Sequence, residues 1–174
     1  MSDAITAKQR RHADPSIVIA AARGWRGTPY HDQASLRGVG CDCLGLARGV
    51  WREVVGPEPF PIPPYSRDWG ETGSREILAD GARKMMIEVP VANAPPGALL
   101  LFRMRPRAIA KHVGILTGPD SFIHAYERLG VIEQPLTAPW RRRIAFAFLF
   151  PATGAAGQGK GMPSDHANSG PVRK

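Results

Sequence analysis

The apolar residues of this chain change their spacing along the sequence, from helical near the N-terminus to strand-like further on. Over residues 42–55 they recur at positions i, i+3, i+4, i+7, i+8 and i+11, which places them on one face of a helix that Gly56-Pro57 ends. Asp14-Pro15 is typical of the start of a shorter helix over 16–24, with Ile17, Ala20 and Ala21 on one side. The N-terminal part is therefore predicted to be helical.

After residue 97 the pattern becomes that of β-structure. Short apolar runs separated by turn signals predict five strands, over 98–103, 112–117, 122–126, 130–134 and 144–150. A further helix is expected within 74–86, and 31–40 is predicted to be a polar loop. Helices first and an antiparallel sheet afterwards predict an α+β domain over residues 14–151.

Composition agrees with one folded domain and argues against several other classes of protein. The chain has 174 residues, of which 43% are hydrophobic, and 19 Gly and 17 Pro argue against long helices. The longest apolar run is far too short to cross a bilayer, so we expect no membrane insertion. No apolar signal segment is visible, which favours synthesis in the cytoplasm. Residues 1–13 are expected to be flexible and 152–174 to be a disordered tail.

The net charge of +8 favours anionic partners such as cell-wall polymers or nucleic acid. No helix-turn-helix, aromatic RNA-binding motif or long basic helix is recognisable, so specific nucleic-acid binding is not expected. The one basic cluster, Arg141-Arg142-Arg143, is predicted to be a solvated loop before a strand.

The two cysteines, Cys41 and Cys43, are too close in sequence to form an unstrained disulfide. Cys43 falls in the first turn of the predicted helix, directly after Asp42, a residue type that commonly caps helices. Backbone N–H groups and the dipole at a helix N-terminus stabilise an anion, so we expect the pKa of this thiol to be lowered. The alternative is an inert buried thiol. Cys41 is interpreted as structural or incidental.

Two histidines accompany Cys43. His112 and His124 lie in consecutive predicted strands and are an even number of residues apart, which is compatible with one face of a hairpin. If the Cys43 helix packs on that face, the three side chains form a nucleophile, a base and a group that orients the base. A zinc site built from Cys41, Cys43, His112 and His124 is the alternative, although the Cys-x-Cys spacing is unusual for zinc.

Five short motifs surround these residues. They are Gly27-Thr-Pro-Tyr30, Gly40-Cys-Asp-Cys43-Leu-Gly-Leu46, Pro96-Gly97-Ala-Leu, His112-Val-Gly-Ile115 and Phe122-Ile-His124-Ala125. Their order and spacing over residues 17–150 resemble the NlpC family of bacterial cell-wall cysteine peptidases. The resemblance implies a compact papain-like domain that needs no cofactor and cleaves peptidoglycan stem peptides, typically after γ-D-glutamate.

The resemblance also implies a role for each site residue. Cys43 would be the nucleophile, His112 the general base, His124 the residue that orients His112, and Tyr30 a donor to the oxyanion. Leu44 and Ala98 stand where the family commonly has Ser and Asp, and neither is a triad position.

Other segments are similar to a branch of the family encoded in phage, prophage and gene transfer agent tail clusters. These are the loop 31–35, which lacks the usual glycine pair, Trp51-Arg-Glu53, and residues 64–69. The likeness implies a tail-tip protein that contacts other tip or hub proteins and opens the periplasmic wall during DNA delivery. A catalytically silent adaptor of the tail baseplate is the alternative.

Overall fold

The computed structural model describes residues 12–62, 65 and 75–153. The predicted flexible N-terminus and disordered tail lie outside the described residues, apart from their innermost two residues each. His12 forms an isolated antiparallel bridge with Pro151, and Ala13 N donates to Phe150 O at 2.8 Å. The two ends of the described chain therefore lie side by side.

Two helices and a small hairpin form the first part of the domain. Helix α1 spans Pro15–Gly24, and the Asp14 carboxylate accepts a hydrogen bond from Ser16 N at its start. Strands β1 (Ser35–Leu36) and β2 (Gly40–Cys41) pair antiparallel, so the prediction of a plain loop over 31–40 is wrong. Each of these strands has only two residues, which is too short to produce a recognisable period.

Helix α2 spans Cys43–Val54, as predicted. Its apolar face is buried after the first turn, whereas Cys43 itself remains partly exposed. The Trp25 indole occupies the place where Gly49 would carry a Cβ, which would lie 1.9 Å from the ring. Helix α1 therefore approaches α2 closely, and its buried residues are Val18 and Ala22 rather than the side that includes Ile17.

The rest of the chain builds a six-stranded antiparallel sheet. Its elements in chain order are α3 (Ile77–Met85), β3 (Ile87–Val89), a 3-10 turn (Val91–Asn93), β4 (Leu99–Phe102), β5 (His112–Gly118), β6 (Ser121–Tyr126), β7 (Gly130–Pro135), α4 (Ala138–Arg141) and β8 (Ile144–Leu149). The strand order is β3-β8-β4-β5-β6-β7. The α+β class is confirmed, with the helices in the N-terminal part and the sheet in the C-terminal part.

Besides the β1–β2 hairpin, the 3-10 turn, β3 and α4 were not predicted from the sequence. Strand β3 follows α3 directly. The single turn of α4 ends at Arg141, so the first residue of the basic segment is helical and not in a loop as predicted. Arg142 and Arg143 are exposed in the turn that leads into β8. One turn of helix gives too few residues for a period to be visible in the sequence.

The sheet separates two apolar clusters. Helices α1, α2 and α3 pack against the face that carries Val113, Ile115, Ile123 and Ala125. The opposite face carries a smaller cluster in which Trp140 of α4 packs on residues of the sheet such as Phe102, Phe122 and Leu136. Among the described residues, no helix has both the length and the apolar character needed to cross a membrane.

Candidate active site

Cys43 is the first residue of α2, and the local sequence fixes where the helix begins. Asp42 caps it, with Oδ1 accepting from Gly45 N at 2.6 Å, as expected. The other carboxylate oxygen, Oδ2, accepts from Gln33 N at 2.8 Å and from the Tyr65 hydroxyl at 2.6 Å. The cap therefore ties the start of α2 to two separate segments of the chain.

The two histidines lie on one face of the β5–β6 hairpin, as predicted. Ile115 pairs with Ile123, and this register makes His112 and His124 diagonal neighbours. His112 Nε2 lies 2.7 Å from His124 Nδ1. His124 is fully buried, and its other nitrogen lies 2.8 Å from Gln134 Nε2 on β7. The two imidazoles are thus hydrogen-bonded to each other, and buried His124 fixes the orientation of His112.

The thiol does not approach the imidazoles across a face of the sheet, contrary to the arrangement considered from the sequence. The imidazoles stack near Phe102, Phe122 and Trp140, whereas α2 packs on the opposite face. Cys43 instead lies at the beginning of β5, where Sγ is 3.9 Å from the carbonyl oxygen of Lys111, the residue before His112. The thiol and the imidazole therefore meet around the end of a strand.

Cys43 and His112 line one cavity of about 360 Å³. Tyr30 also lines it, and a parallel bridge between Tyr30 and Cys41 holds its backbone in place. The geometry therefore brings together Cys43, His112, His124 and Tyr30, the four residues singled out in the sequence, three of them at the cavity and His124 behind His112.

Sequence reasoning missed the rest of the cavity wall. Tyr126, Glu127 and Arg128, from the end of β6 and the turn that follows, line the cavity, and Arg128 adopts a left-handed φ of 69°. The sequence signal that could have located them is the turn after the strand that carries His124. Charges of both signs at this rim suit a substrate that carries both carboxylate and amino groups.

Burial makes both reacting groups neutral. It raises the pKa of the Cys43 thiol to about 12, with a smaller contribution from the Asp42 carboxylate, and this outweighs the N–H groups of Val113, Leu44 and Cys43 that lower it. The expectation of a lowered thiol pKa is therefore wrong for the free protein. Burial, with a smaller effect of His124, lowers the pKa of His112 to about 3, and burial lowers that of His124 to about 4. His112 is neutral at neutral pH, as a proton acceptor must be.

Cys41 belongs to the hydrophobic core rather than to the cavity. It is fully buried, its thiol is free, and burial raises its pKa to about 12. Within the described ranges, no group of three or more His, Cys, Asp or Glu residues is arranged to hold a metal ion. The zinc alternative gains no support from this arrangement.

An α+β domain with a cysteine at the start of a helix and an imidazole pair on two inner strands of an antiparallel sheet has the arrangement of papain-like cysteine hydrolases. The comparison with known families agrees. The chain belongs to the NlpC/P60 family, whose sequence profile matches residues 27–147.

The chain is similar to characterised and solved members of this family. It is 31% identical over 130 residues to the murein DD-endopeptidase MepS/murein LD-carboxypeptidase of Escherichia coli K12, which covers 74% of this chain and 58% of the relative. The match thus spans less than two thirds of that relative's length.

Solved structures support the fold. The NlpC/p60 domain of the peptidoglycan hydrolase SagA superposes with a TM-score of 0.53 at 24% identity, over 78% of this chain and 97% of that one. A lipoprotein-like NLP/P60 family protein of Staphylococcus aureus gives 0.54 at 19% identity, over 83% and 44%. At these identities the two structures show a shared fold.

Proposed function

We propose that this domain is a cysteine endopeptidase that cleaves peptide bonds of peptidoglycan. The observation that carries the proposal is the thiol of Cys43 and the imidazole of His112 facing one cavity, with His124 bound to the far nitrogen of His112. Membership of the NlpC/P60 family and similarity to a protein named as a murein endopeptidase support the same activity.

The chemistry is acyl transfer. His112 takes the proton of Cys43 through Nδ1, because its Nε2 is engaged by His124. The sulfur attacks the substrate carbonyl, the leaving amine receives the proton from His112, and water then hydrolyses the thioester. Since thiol and imidazole are both neutral at rest, proton transfer accompanies the attack and follows substrate binding. Tyr30 is proposed as a donor to the oxyanion, a contribution of roughly 3–4 kcal/mol in other acyl transferases.

The substrate is proposed to be a peptidoglycan stem peptide, cut after γ-D-glutamate. The similar Escherichia coli protein is named both as a murein DD-endopeptidase and as a murein LD-carboxypeptidase. Glu127 and Arg128 at the cavity rim suit a stem peptide, because such peptides carry free carboxylates and amines close together.

The setting is proposed to be the tail tip of a phage or gene transfer agent particle. The protein would be made in the cytoplasm, join tip or hub proteins, and act on the periplasmic wall as DNA is delivered. The similarity of residues 31–35 and 51–53 to the tail-associated branch supports this setting. Immunogold labelling of purified particles should mark the tail tip, and labelling of the cytoplasm alone would contradict the proposal.

Digestion of purified sacculi tests the activity. Cys43→Ala should fold but release no new amino termini, and His112→Ala should lose nearly as much because nucleophile and base act as a unit. Cys41→Ala is the matched control, since it removes the neighbouring thiol, which lies outside the cavity, and should retain cleavage. Mass spectrometry of the fragments identifies the bond that is cut. Cleavage by Cys43→Ala at the wild-type rate would refute Cys43 as the nucleophile, and no cleavage by the wild type would leave the adaptor alternative.

A further inference from the structure

A fourth polar side chain extends the line from the thiol through the imidazoles. Gln134 lies on β7, two residues beyond Ile132, which pairs with His124. Its Nε2 lies 2.8 Å from His124 Nε2, and His124 Nδ1 lies 2.7 Å from His112 Nε2. Three side chains on three neighbouring strands thus form one hydrogen-bonded chain that ends at the general base.

The orientation of the Gln134 amide determines which nitrogen of each imidazole carries the proton. A neutral imidazole has one N–H and one lone pair, while an amide nitrogen only donates and an amide oxygen only accepts. With Gln134 Nε2 towards His124, the amide donates to His124 Nε2, so the proton of His124 sits on Nδ1 and points at His112 Nε2. His112 then carries its own proton on Nδ1. In this tautomer neutral His112 cannot accept the proton of Cys43.

Turning the amide by half a turn reverses every bond of the chain. Gln134 Oε1 then accepts from Nε2–H of His124, and His124 Nδ1 accepts from Nε2–H of His112, which leaves a lone pair on His112 Nδ1. When the Cys43 proton moves to that nitrogen, a thiolate and an imidazolium form, and both Nε2–H bonds persist. Among the described residues, Gln134 Oε1 accepts no hydrogen bond, so the rotation replaces the bond to His124 and breaks no other.

We propose that Gln134 is a positioning residue that determines which nitrogen of His112 carries the proton, and that the site is competent when Oε1 of Gln134 faces His124. Its importance for turnover rests on the proposed function. Its effect on the reactivity of Cys43 does not, because the proton of the thiol moves to His112 whatever the electrophile is.

The rate of Cys43 alkylation by iodoacetamide, measured as a function of pH, tests this without any peptidoglycan. Gln134→Met removes the acceptor with little change in volume and should slow alkylation by about tenfold, by analogy with the lower figure for loss of the partner that orients a metal-bound histidine. Gln134→Glu offers only acceptor oxygens, so it should keep the wild-type rate or exceed it and extend reactivity to lower pH. A merely structural role would make both substitutions act alike.

Two controls accompany these variants. Glu133→Gln, on the same strand, loses the ion pair with Arg23 but does not touch the imidazoles, and should alkylate like the wild type. Cys43→Ala measures the background from Cys41.

Two alkylation results would overturn the proposal: a wild-type rate in Gln134→Met, or equal slowing in the Met and Glu variants. Nitrogen-15 NMR of the imidazoles gives a second measurement if Gln134→Met does not fold. It should place the His112 proton on Nε2 in the wild type and in Gln134→Glu, and a proton on Nδ1 in both would equally refute the idea. Failure of the wild type to cut sacculi would count against the proposed function and leave the alkylation result intact.

Discussion

At Cys43, burial and the local sequence have opposite effects on the pKa of the thiol. The start of a helix favours the thiolate, yet removal from water raises the pKa of Cys43 to about 12. The same burial lowers the pKa of His112 to about 3. Both side chains are therefore neutral in the free protein, and the site holds no thiolate before substrate binds.

The buried imidazoles predict a loss of stability in acid. His124 takes up a proton near pH 6.5 when unfolded but only near pH 4 when folded. Between these values the unfolded chain binds more protons, so the stability is fully present above pH 6.5 and is lost as the pH falls towards 4, by roughly 3 kcal/mol for His124. Urea unfolding at a series of pH values should show this slope in the wild type.

A substitution identifies the source of that slope. His124→Gln should reduce the pH dependence of the free energy of unfolding over this interval by about half, because His112, whose pKa burial also lowers, still contributes the rest. His31→Gln, which removes an exposed imidazole, is the matched control and should keep the wild-type slope. Equal slopes in the two variants would show that His124 is not responsible.

The site residues that could be predicted are those with a recognisable pattern in the neighbouring sequence. Cys43, His112 and His124 have local signals: a cap before the thiol, and an even spacing across a turn. Gln134 has none, because a polar residue on a half-exposed strand is ordinary. The thiol pKa could not be predicted either, because it depends on burial by the start of β5, which is distant in sequence.

At the scale of elements, the first turn of α2 packs closely against the start of the β1–β2 hairpin. A Cβ on Gly45 would lie 1.8 Å from the carbonyl oxygen of Ala34, and Ser35 Oγ donates to Gly45 O at 2.6 Å. Backbone on both sides of this contact is fixed by hydrogen bonds, so neither side can yield cheaply. The position of the Cys43 thiol therefore depends on a glycine two residues later.

Gly45→Ala should consequently displace the start of α2. We expect a loss of about 3 kcal/mol in the free energy of unfolding, at the upper end for overpacking, together with slower alkylation of Cys43. Gly81→Ala in α3 is the matched control: a Cβ there meets nothing within 4 Å, so it should stabilise the protein by about 1 kcal/mol. Thermal unfolding and alkylation rates measure both effects, and wild-type values for Gly45→Ala would contradict this reading of the contact.

The elements that could be predicted are the long ones. Helix α2 shows three turns of period, and its buried face is as predicted. Helix α1 is shorter and its buried side was misjudged, because Trp25, the residue after its end, decides which side meets α2. The β1–β2 hairpin and α4 are single short units whose formation depends on tertiary contacts rather than on sequence period.

For the whole molecule, the position of β8 is decisive. This strand pairs with β3 on one side and with β4 on the other, and it carries Phe148, which is fully buried. Removal of residues 144–174 should therefore leave a chain without cooperative unfolding.

Removal of residues 154–174 alone should leave the unfolding temperature unchanged if the predicted disordered tail takes no part in the fold. Circular dichroism during heating distinguishes the two, and a folded protein lacking β8 would refute the first expectation.

The thiol and the imidazoles belong to different layers, since the helix that carries the thiol covers one side of the sheet and the imidazoles project from the other. A small slide of α2 over the sheet changes the separation of sulfur and nitrogen without altering either residue. Enlarging or truncating a core residue such as Val50, remote from the cavity, can thus alter turnover through geometry alone. Under the proposed function, the rate of turnover therefore reports the position of α2 on the sheet.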